Sequence, residues 1–193
     1  GFDLLQFISP ELSLHRSVRA VLEEVKKVLV WYTLLYLGET VESWKVYWFG
    51  LTSGLDSKSF ETLMKQTGIT GSENQRIVSQ RSHANELLDA LFKFEGDNFQ
   101  LYTMLLPYDT EMLLYLMAKS NSEKIRRHIS GYFTGLKGKK VQLTGKDLLK
   151  MGFRSGPLFK QIFDRLLEAR LNDLIKTKKE EVKFVRENFP PSP

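Results

Sequence analysis

Residues 143–181 read LTGKDLLKMGFRSGPLFKQIFDRLLEARLNDLIKTKKEE, and this stretch decides the fold class that we predict. Thr144 and Asp147 have the spacing of a reciprocal helix cap, so a helix is expected to begin directly after Thr144. Gly152 can end that helix in the left-handed conformation. Pro157 suits the first position of a second helix. The pattern therefore predicts short helices joined by glycine turns.

The second of these helices is predicted to run from Pro157 to about Leu171. Asn172 is expected to end it in the left-handed conformation, which asparagine tolerates better than most residues. Thr177 and Glu180 have the spacing of another capping box. They predict a last helix, which stops before the prolines at the end of the printed sequence.

Upstream of this stretch, apolar residues recur at intervals of three and four, and no segment shows the alternation of a half-buried strand. Ser72 and Gln75 predict a capping box at the start of one helix. Short turns between such helices are typical of an array with antiparallel neighbours. We predict an all-α fold, an array of short-loop antiparallel helices with a small helical tail. The upstream helices are expected at about 17–37, 41–51, 60–66, 72–94, 97–106, 110–119 and 122–133.

The composition excludes several classes of protein. Of the 193 residues 42% are hydrophobic, which suffices for a packed core, and none is cysteine. Disulfides and thiolate metal sites are therefore excluded, and a cytoplasmic location is expected. The longest apolar run, residues 28–37, is too short to span a bilayer, so no membrane partner is predicted. The three histidines lack metal-ligand spacing, so no metal site is predicted in this chain.

Positive charge is concentrated in the last part of the chain. Residues 137–193 contain 14 lysines and arginines against seven acidic residues, whereas the whole chain has a net charge of only +5. Such asymmetry is typical of a segment that faces a polyanion such as nucleic acid. A solvated basic surface would have the same composition. We predict a helical body at 1–136, a basic linker at 137–142 and a basic helical tail at 143–193.

The turns of the tail bring backbone amides and cations together. A helix N-terminus presents unpaired N–H groups and the positive end of the helix dipole, and both favour phosphate. Nearby lysines and arginines can contact neighbouring phosphates without reading bases. Ordinary helix caps with surface lysines are the alternative from these residues alone. The candidate RNA-phosphate-binding residues are Lys139, Lys140, Thr144, Gly145, Lys146, Lys150, Arg154, Gly156 and Lys160.

Residues 143–181 resemble the C-terminal tail of the bacterial tRNA nucleotidyltransferase and poly(A) polymerase family. That tail typically has TGxDL, a glycine, GP, and then AxL and an acidic pair at these spacings. Two upstream segments, VLVWYTLLYLGETVESWKVYWFGL and LLYLMAKSNSEKIRRHISGYFTGL, are similar to the helical body of the family's longer members. Asn172 is a departure, because the family usually has glycine there. The resemblance implies a fold like the C-terminal region of poly(A) polymerase.

The resemblance also implies a function. The parent enzyme would be of the CCA-adding, A-adding or poly(A) polymerase type, and its body and tail would hold tRNA or another structured RNA. Head and neck domains of the same chain would transfer nucleotides from ATP or CTP with Mg²⁺. Neither the G-S-x-x-R motif nor the D-x-D pair that would hold the metal occurs in this sequence. We therefore expect a fragment without catalytic residues and without a cofactor of its own.

Two other function classes fit the residues less well. A helical protein-interaction or dimerisation module would use the apolar array, and the basic tail would be incidental. An independent enzyme has the least support, because no nucleophile, base and oxyanion donor can be assembled from the sequence. Trp31, Tyr32, Trp44, Tyr47 and Trp48 could stack on RNA bases, but their helical spacing among leucines favours a core role. The oligomeric state is not predicted.

Overall fold

The computed structural model describes Leu5 and residues 12–189 of the chain. Every regular element in this part is a helix, which confirms the all-α prediction. We number the α-helices α1 to α11 in chain order. They are α1 (Arg16–Thr33), α2 (Ser43–Leu51), α3 (Ser57–Gln66), α4 (Gly71–Ser82), α5 (Ala84–Lys93), α6 (Asn98–Leu105), α7 (Thr110–Lys119), α8 (Glu123–Gly131), α9 (Gly145–Lys150), α10 (Pro157–Leu171) and α11 (Lys178–Asn188). A π-helical turn, Tyr132–Leu136, follows α8 directly.

The chain divides into two compact units. The first unit comprises Gly1–Phe94 and Pro107–Ser130, and the second comprises Glu95–Leu106 and Gly131–Pro193. The second unit therefore contains α6, the π-helical turn and α9 to α11, and it is assembled from two separate stretches of sequence. The residues predicted as a basic linker, 137–142, lie within this second unit. Their interpretation as a linker between body and tail stays a prediction.

The core of the first unit is formed where α1, α2 and α7 pack against one another. Val18, Val25 and Val28 lie at helical spacing on α1 and are buried. In α7 every side chain from Met112 to Leu116 is buried. A helical segment that is covered on all sides must be apolar all round, and the central sequence MLLYLMA of α7 meets this requirement.

Helix α2 approaches α1 closely at Gly50. A Cβ atom at this position would lie 3.1 Å from Leu22 Cδ2 and 3.3 Å from Val25 Cγ2. These distances are shorter than ordinary contacts, so the Leu22 and Val25 side chains would have to shift to admit a larger residue. Glycine at position 50 thus permits this close approach of α1 and α2.

The first helix ends earlier than predicted. Helix α1 stops at Thr33 rather than near Leu37, and Tyr36 has a left-handed φ of 49°. A right-handed helix cannot contain this conformation, so the apolar periodicity continues beyond the helix itself.

The helix predicted at 72–94 is in fact two helices. Helices α4 and α5 meet at His83, whose Nδ1 lies 2.7 Å from the carbonyl oxygen of Ser79. Ser72 lies inside α4, and the N-cap residue Thr70 makes no side-chain capping bond. The predicted Ser72–Gln75 capping box is therefore wrong.

The prediction that the aromatic residues of the first unit lie in the core is only partly correct. Trp44 and Tyr47 are 49% and 39% exposed, whereas Tyr32 is buried. The Tyr32 hydroxyl donates to Glu39 Oε2 at 3.3 Å. Burial, with the nearby Glu39 charge, raises the pKa of Tyr32 to about 12. Helical spacing alone did not identify which of these rings the core covers.

The second unit has its own apolar core, to which α9, α10 and α11 contribute. The predicted caps at Thr144–Asp147 and Thr177–Glu180 are confirmed, and so is Pro157 at the start of α10. Helix α6 packs against α10. The buried core residues are Leu143, Leu148, Phe153, Ile162, Leu166, Ala169, Ile175 and Val185.

Helices α9 and α10 both end in a Schellman motif. After α9, Gly152 has the predicted left-handed φ, 93°, and the Phe153 N–H donates to the Leu148 carbonyl oxygen at 3.1 Å. After α10, the left-handed residue is Asp173, with φ of 58°, whereas Asn172 has φ of −85°. The prediction that Asn172 takes this conformation is wrong by one residue, because the hydrogen bonds that end α10 place Asp173 at the left-handed position.

Candidate nucleic-acid interface

Five of the predicted phosphate-binding cations are exposed on the second unit. They are Lys140, Lys146, Lys150, Arg154 and Lys160. None of them forms an ion pair with any residue that the structure describes. Lys146 and Lys150 lie four residues apart on α9 and therefore share one face of the helix. Arg154 lies in the turn after α9, and Lys160 lies near the start of α10.

Most acidic residues of this unit, in contrast, are engaged within the fold. Asp147 binds Lys178, Asp173 binds Lys139, and Glu168 binds Arg165. Glu180 caps α11, and Glu181 is fully buried. Asp164, in contrast, is exposed four residues after Lys160 on α10 and can partly balance its charge. The other four exposed cations have no ion-pair partner among the described residues, so positive charge predominates around them.

Lys139 differs from the other predicted cations because its ammonium group is used inside the unit. It donates to the carbonyl oxygens of Arg170 and Leu171 at 3.1 and 3.3 Å, and it pairs with Asp173 Oδ1 at 2.7 Å. These contacts cap the C-terminus of α10, where the helix dipole favours a cation. The hydrogen bond from Lys139 lowers the pKa of Asp173 below its ordinary value. A phosphate contact by Lys139 stays a prediction.

The N-terminus of α9 already has a carboxylate beside it. Asp147 accepts from the N–H and the hydroxyl of Thr144, at 2.8 and 2.7 Å, and from Lys178 Nζ at 2.9 Å. These bonds, that from Lys178 first, hold the pKa of Asp147 far below its usual range. The Thr144 hydroxyl is thus engaged in the cap. The surrounding cations are therefore better placed to attract phosphate than the helix end itself.

The two glycines of the predicted site lie at the starts of α9 and α10. A Cβ atom on Gly145 would lie 3.6 Å from Phe159 Cε2, so the first turn of α9 faces the first turn of α10. Gly156 is the exposed N-cap residue of α10. Its φ of 166° is extended backbone that any residue can adopt, so this conformation does not require glycine.

A buried carboxylate that we did not predict binds the segment before α9 and an arginine of α10. Glu181 accepts the N–H groups of Gln142 and Leu143, at 3.0 and 2.7 Å, and pairs with Arg170 at 2.5 Å. Each of these partners would cost free energy if it were buried alone. Glu181 lies four residues before the buried Val185 and so faces the core. That spacing is the sequence signal that could have identified it.

A second unpredicted network joins the end of α10 to the start of α6. The Asn172 side chain donates to Asp97 Oδ2 at 2.9 Å and accepts the Phe99 N–H at 3.1 Å. Asn98 donates to the Leu171 carbonyl oxygen at 3.0 Å. Glycine, the usual family residue at position 172, has no side chain for these bonds. The departure from the family pattern therefore has a structural role.

Metal-ligand clusters and membrane-spanning helices are both absent from the described residues. No group of three or more histidine, aspartate or glutamate side chains lies together as metal ligands would in Leu5 or residues 12–189. None of the helices described there combines the length and apolar character that a bilayer span requires.

Comparison with known proteins identifies a relative. The chain is 37% identical over 189 residues to an A-adding tRNA nucleotidyltransferase from Geobacter sulfurreducens. The alignment covers 95% of this chain and 22% of the relative, so the chain spans less than a quarter of that protein's length. No protein-family model matches the chain.

Several solved structures have the same fold. An apo CCA-adding enzyme superposes with a TM-score of 0.70 at 16% identity, over 97% of this chain and 43% of the other. A Thermotoga maritima CCA-adding enzyme complexed with tRNA gives 0.67 at 16% identity, over 96% and 44%. A tRNA-processing enzyme with CTP gives 0.68 at 22% identity, over 87% and 43%. At these identities the likeness shows the fold, an array of α-helices.

Proposed function

We propose that this chain binds tRNA or another structured RNA through the exposed cations of its second unit. The resemblance to the tRNA nucleotidyltransferase family is confirmed by a relative that aligns with 95% of the chain. The observation that carries the proposal is a set of five exposed cations that form no ion pair within the described part of the chain. Contacts of this kind bind the sugar-phosphate backbone and supply affinity without reading bases.

The folds of known enzymes support this proposal. One solved structure of similar fold is a CCA-adding enzyme complexed with tRNA. In our proposal the present chain is the body and tail of a bacterial enzyme of the CCA-adding, A-adding or poly(A) polymerase type. It holds the folded RNA so that the 3′ end stays at a distant active site. Transfer from ATP or CTP with Mg²⁺ is assigned to head and neck domains of the same parent chain, in the cytoplasm.

The proposal is tested by reversing three of the cations. We expect the variant Lys146→Glu, Arg154→Glu, Lys160→Glu to bind tRNA at least ~100-fold more weakly, because each reversal removes a phosphate contact and adds repulsion. Fluorescence anisotropy with labelled tRNA at several salt concentrations measures the affinity. Wild-type affinity should fall steeply with salt.

The matched control reverses three exposed lysines of the first unit. Lys26→Glu, Lys58→Glu, Lys93→Glu changes the net charge by the same amount at exposed positions. It should retain most of the affinity. If the two triple variants bind tRNA equally well, the proposed surface is rejected. The alternative of a protein-interaction or dimerisation module stays a prediction, and light scattering on the purified chain tests self-association.

A further inference from the structure

The segment that leads into α9 is held by side chains on both sides of Lys140. Lys139 binds the carbonyl oxygens at the end of α10. The N–H groups of Gln142 and Leu143 donate to Glu181. Val141 is half-buried against the core of the second unit, whereas Lys140 is exposed. The backbone around Lys140 is therefore fixed although it belongs to no helix.

One turn of α11 provides two of the anchors. Lys178 and Glu181 lie three residues apart and thus on the same side of the helix. Lys178 binds Asp147 at the start of α9, and Glu181 binds the backbone just before it. The capping box of Thr177 and Glu180 defines the start of this turn. Helix α11 therefore fixes both the segment that carries Lys140 and the first turn of α9.

We propose that Glu181 is a positioning residue for RNA binding, which holds Lys140 in a fixed place relative to the cations of α9. This inference rests on the proposed function. Glu181 is fully buried, so its carboxylate is not accessible to RNA. A cation on a fixed backbone loses less conformational freedom when it binds a phosphate than one on a mobile loop, so the anchor increases the affinity.

Glu181→Gln separates positioning from charge. The substitution nearly keeps the shape of the side chain and makes the chain one unit more positive. Simple electrostatics therefore predicts tighter tRNA binding, whereas loss of the anchor predicts weaker binding. We expect the affinity for tRNA to fall about 3- to 10-fold. The slope of log affinity against log salt concentration should become shallower by about 0.9, which corresponds to one phosphate contact.

Glu187→Gln is the matched control. Glu187 is an exposed residue of the same helix, and it pairs with Lys183 only at 3.8 Å. The Glu187→Gln variant has the same change in net charge as Glu181→Gln and should bind tRNA as tightly as the wild type or slightly more tightly.

A double-mutant cycle shows whether the effect passes through Lys140. Lys140→Gln alone should reduce the affinity and the salt slope by about as much as Glu181→Gln. In the Lys140→Gln background, Glu181→Gln should have no further effect, because the cation that it positions is gone. An undiminished effect in that background would show that Glu181 acts elsewhere, and the inference would be overturned.

Folding of each variant is checked by circular dichroism and thermal unfolding. If Glu181→Gln does not fold, the pair Arg170→Met, Glu181→Met replaces it, because apolar residues often substitute for a buried ion pair and the net charge is unchanged. This pair should show the same loss of affinity and the same coupling to Lys140.

The possible outcomes distinguish this inference from the proposed function. Salt-dependent tRNA binding that is as tight in the folded Glu181 variant as in the Glu187 control overturns the inference alone. Binding that is insensitive to salt in the wild type overturns the proposed function, and the inference with it.

Discussion

Each unit contains an arginine that is largely shielded from water, and the two arginines are stabilised in different ways. In the first unit Arg81 is 4% exposed and donates to the carbonyl oxygens of Thr52 and Leu55, both at 3.3 Å. Its guanidinium carbon lies 5.5 Å from the ring centroid of Phe60 and 5.8 Å from that of Tyr115. In the second unit Arg170 pairs with the buried carboxylate of Glu181.

The difference shows two solutions to the same desolvation problem. Arg81 is stabilised by carbonyl dipoles and by the faces of aromatic rings, which stay neutral when it is removed. Arg170 and Glu181 depend on each other, because Glu181 alone would be a fully buried unpaired charge and Arg170 alone a largely shielded one. The uncompensated Arg81 also affects its surroundings, since burial and then the Arg81 charge lower the pKa of Lys119. The second unit should therefore be the more sensitive to a single substitution at its arginine site.

Removing Glu181 should give the largest effect on stability. Glu181→Ala leaves Arg170 and two backbone N–H groups without their acceptor, and we expect a loss of about 3–5 kcal/mol in the free energy of unfolding. Urea denaturation followed by circular dichroism measures it. Glu187→Ala is the exposed control and should change the stability by less than about 0.5 kcal/mol. If Glu181→Ala lowers the free energy of unfolding no more than the control does, the two arginine sites do not differ in their sensitivity to substitution.

Removing Arg81 should cost less. Arg81→Met breaks hydrogen bonds to two carbonyl groups but also relieves the burial of an uncompensated charge, so we expect a loss of about 1–2 kcal/mol. The same denaturation experiment applies, with Arg76→Met as a control, since Arg76 forms a more exposed ion pair with Asp109. If Arg81→Met is as damaging as Glu181→Ala, the two sites do not differ as described.

A smaller effect is expected where the units are alike. In each unit a carboxamide binds the start of a helix that is distant in sequence. Gln80 accepts the Asp109 N–H at 3.1 Å before α7, and Asn172 accepts the Phe99 N–H at 3.1 Å in α6. We expect Gln80→Ala and Asn172→Ala each to lose about 1 kcal/mol in urea unfolding. If only one of the two variants loses stability, the two carboxamides have similar geometry but do not contribute equally to the free energy of unfolding. Gln161→Ala, at an exposed position, is the control.

The smallest expected effect is on acid stability. The pKa of Asp147 is lower in the folded chain than in the unfolded chain, so the stability that it contributes is present above the unfolded pKa of about 4 and is lost as pH falls through the folded pKa. Asp147→Asn should therefore be less stable than the wild type at pH 7, and the difference should narrow below about pH 4. Urea unfolding at several pH values measures this gap. A gap that is constant with pH would contradict the assignment. Asp164→Asn, at an exposed position, is the control.

The sequence predicted features that depend on a few neighbouring residues. Caps at Thr144–Asp147 and Thr177–Glu180, and the left-handed Gly152, need only local geometry, and all are confirmed. The five exposed cations of the candidate site were also chosen from sequence alone. What they contact in RNA stays a prediction.

The break between α4 and α5 at His83 is also local, but it was missed because it carries no Gly or Pro signal. Other features depend on residues that are far apart in sequence. The engagement of Lys139 depends on the end of α10, about 30 residues later in the chain, and the role of Asn172 depends on the start of α6. Periodicity and spacing do not report such pairings, because they describe one segment at a time.

Because the second unit takes α6 from the middle of the chain, its assembly has a fixed order during synthesis on the ribosome. Residues 95–106 emerge early, but α10, to which they attach, is completed only after the whole of Pro107–Ser130 has been made. A polypeptide cut at residue 137 would separate α6 from α10 and leave neither piece with a complete second core. Grafting the tail onto another protein would therefore require α6 to be transferred with it.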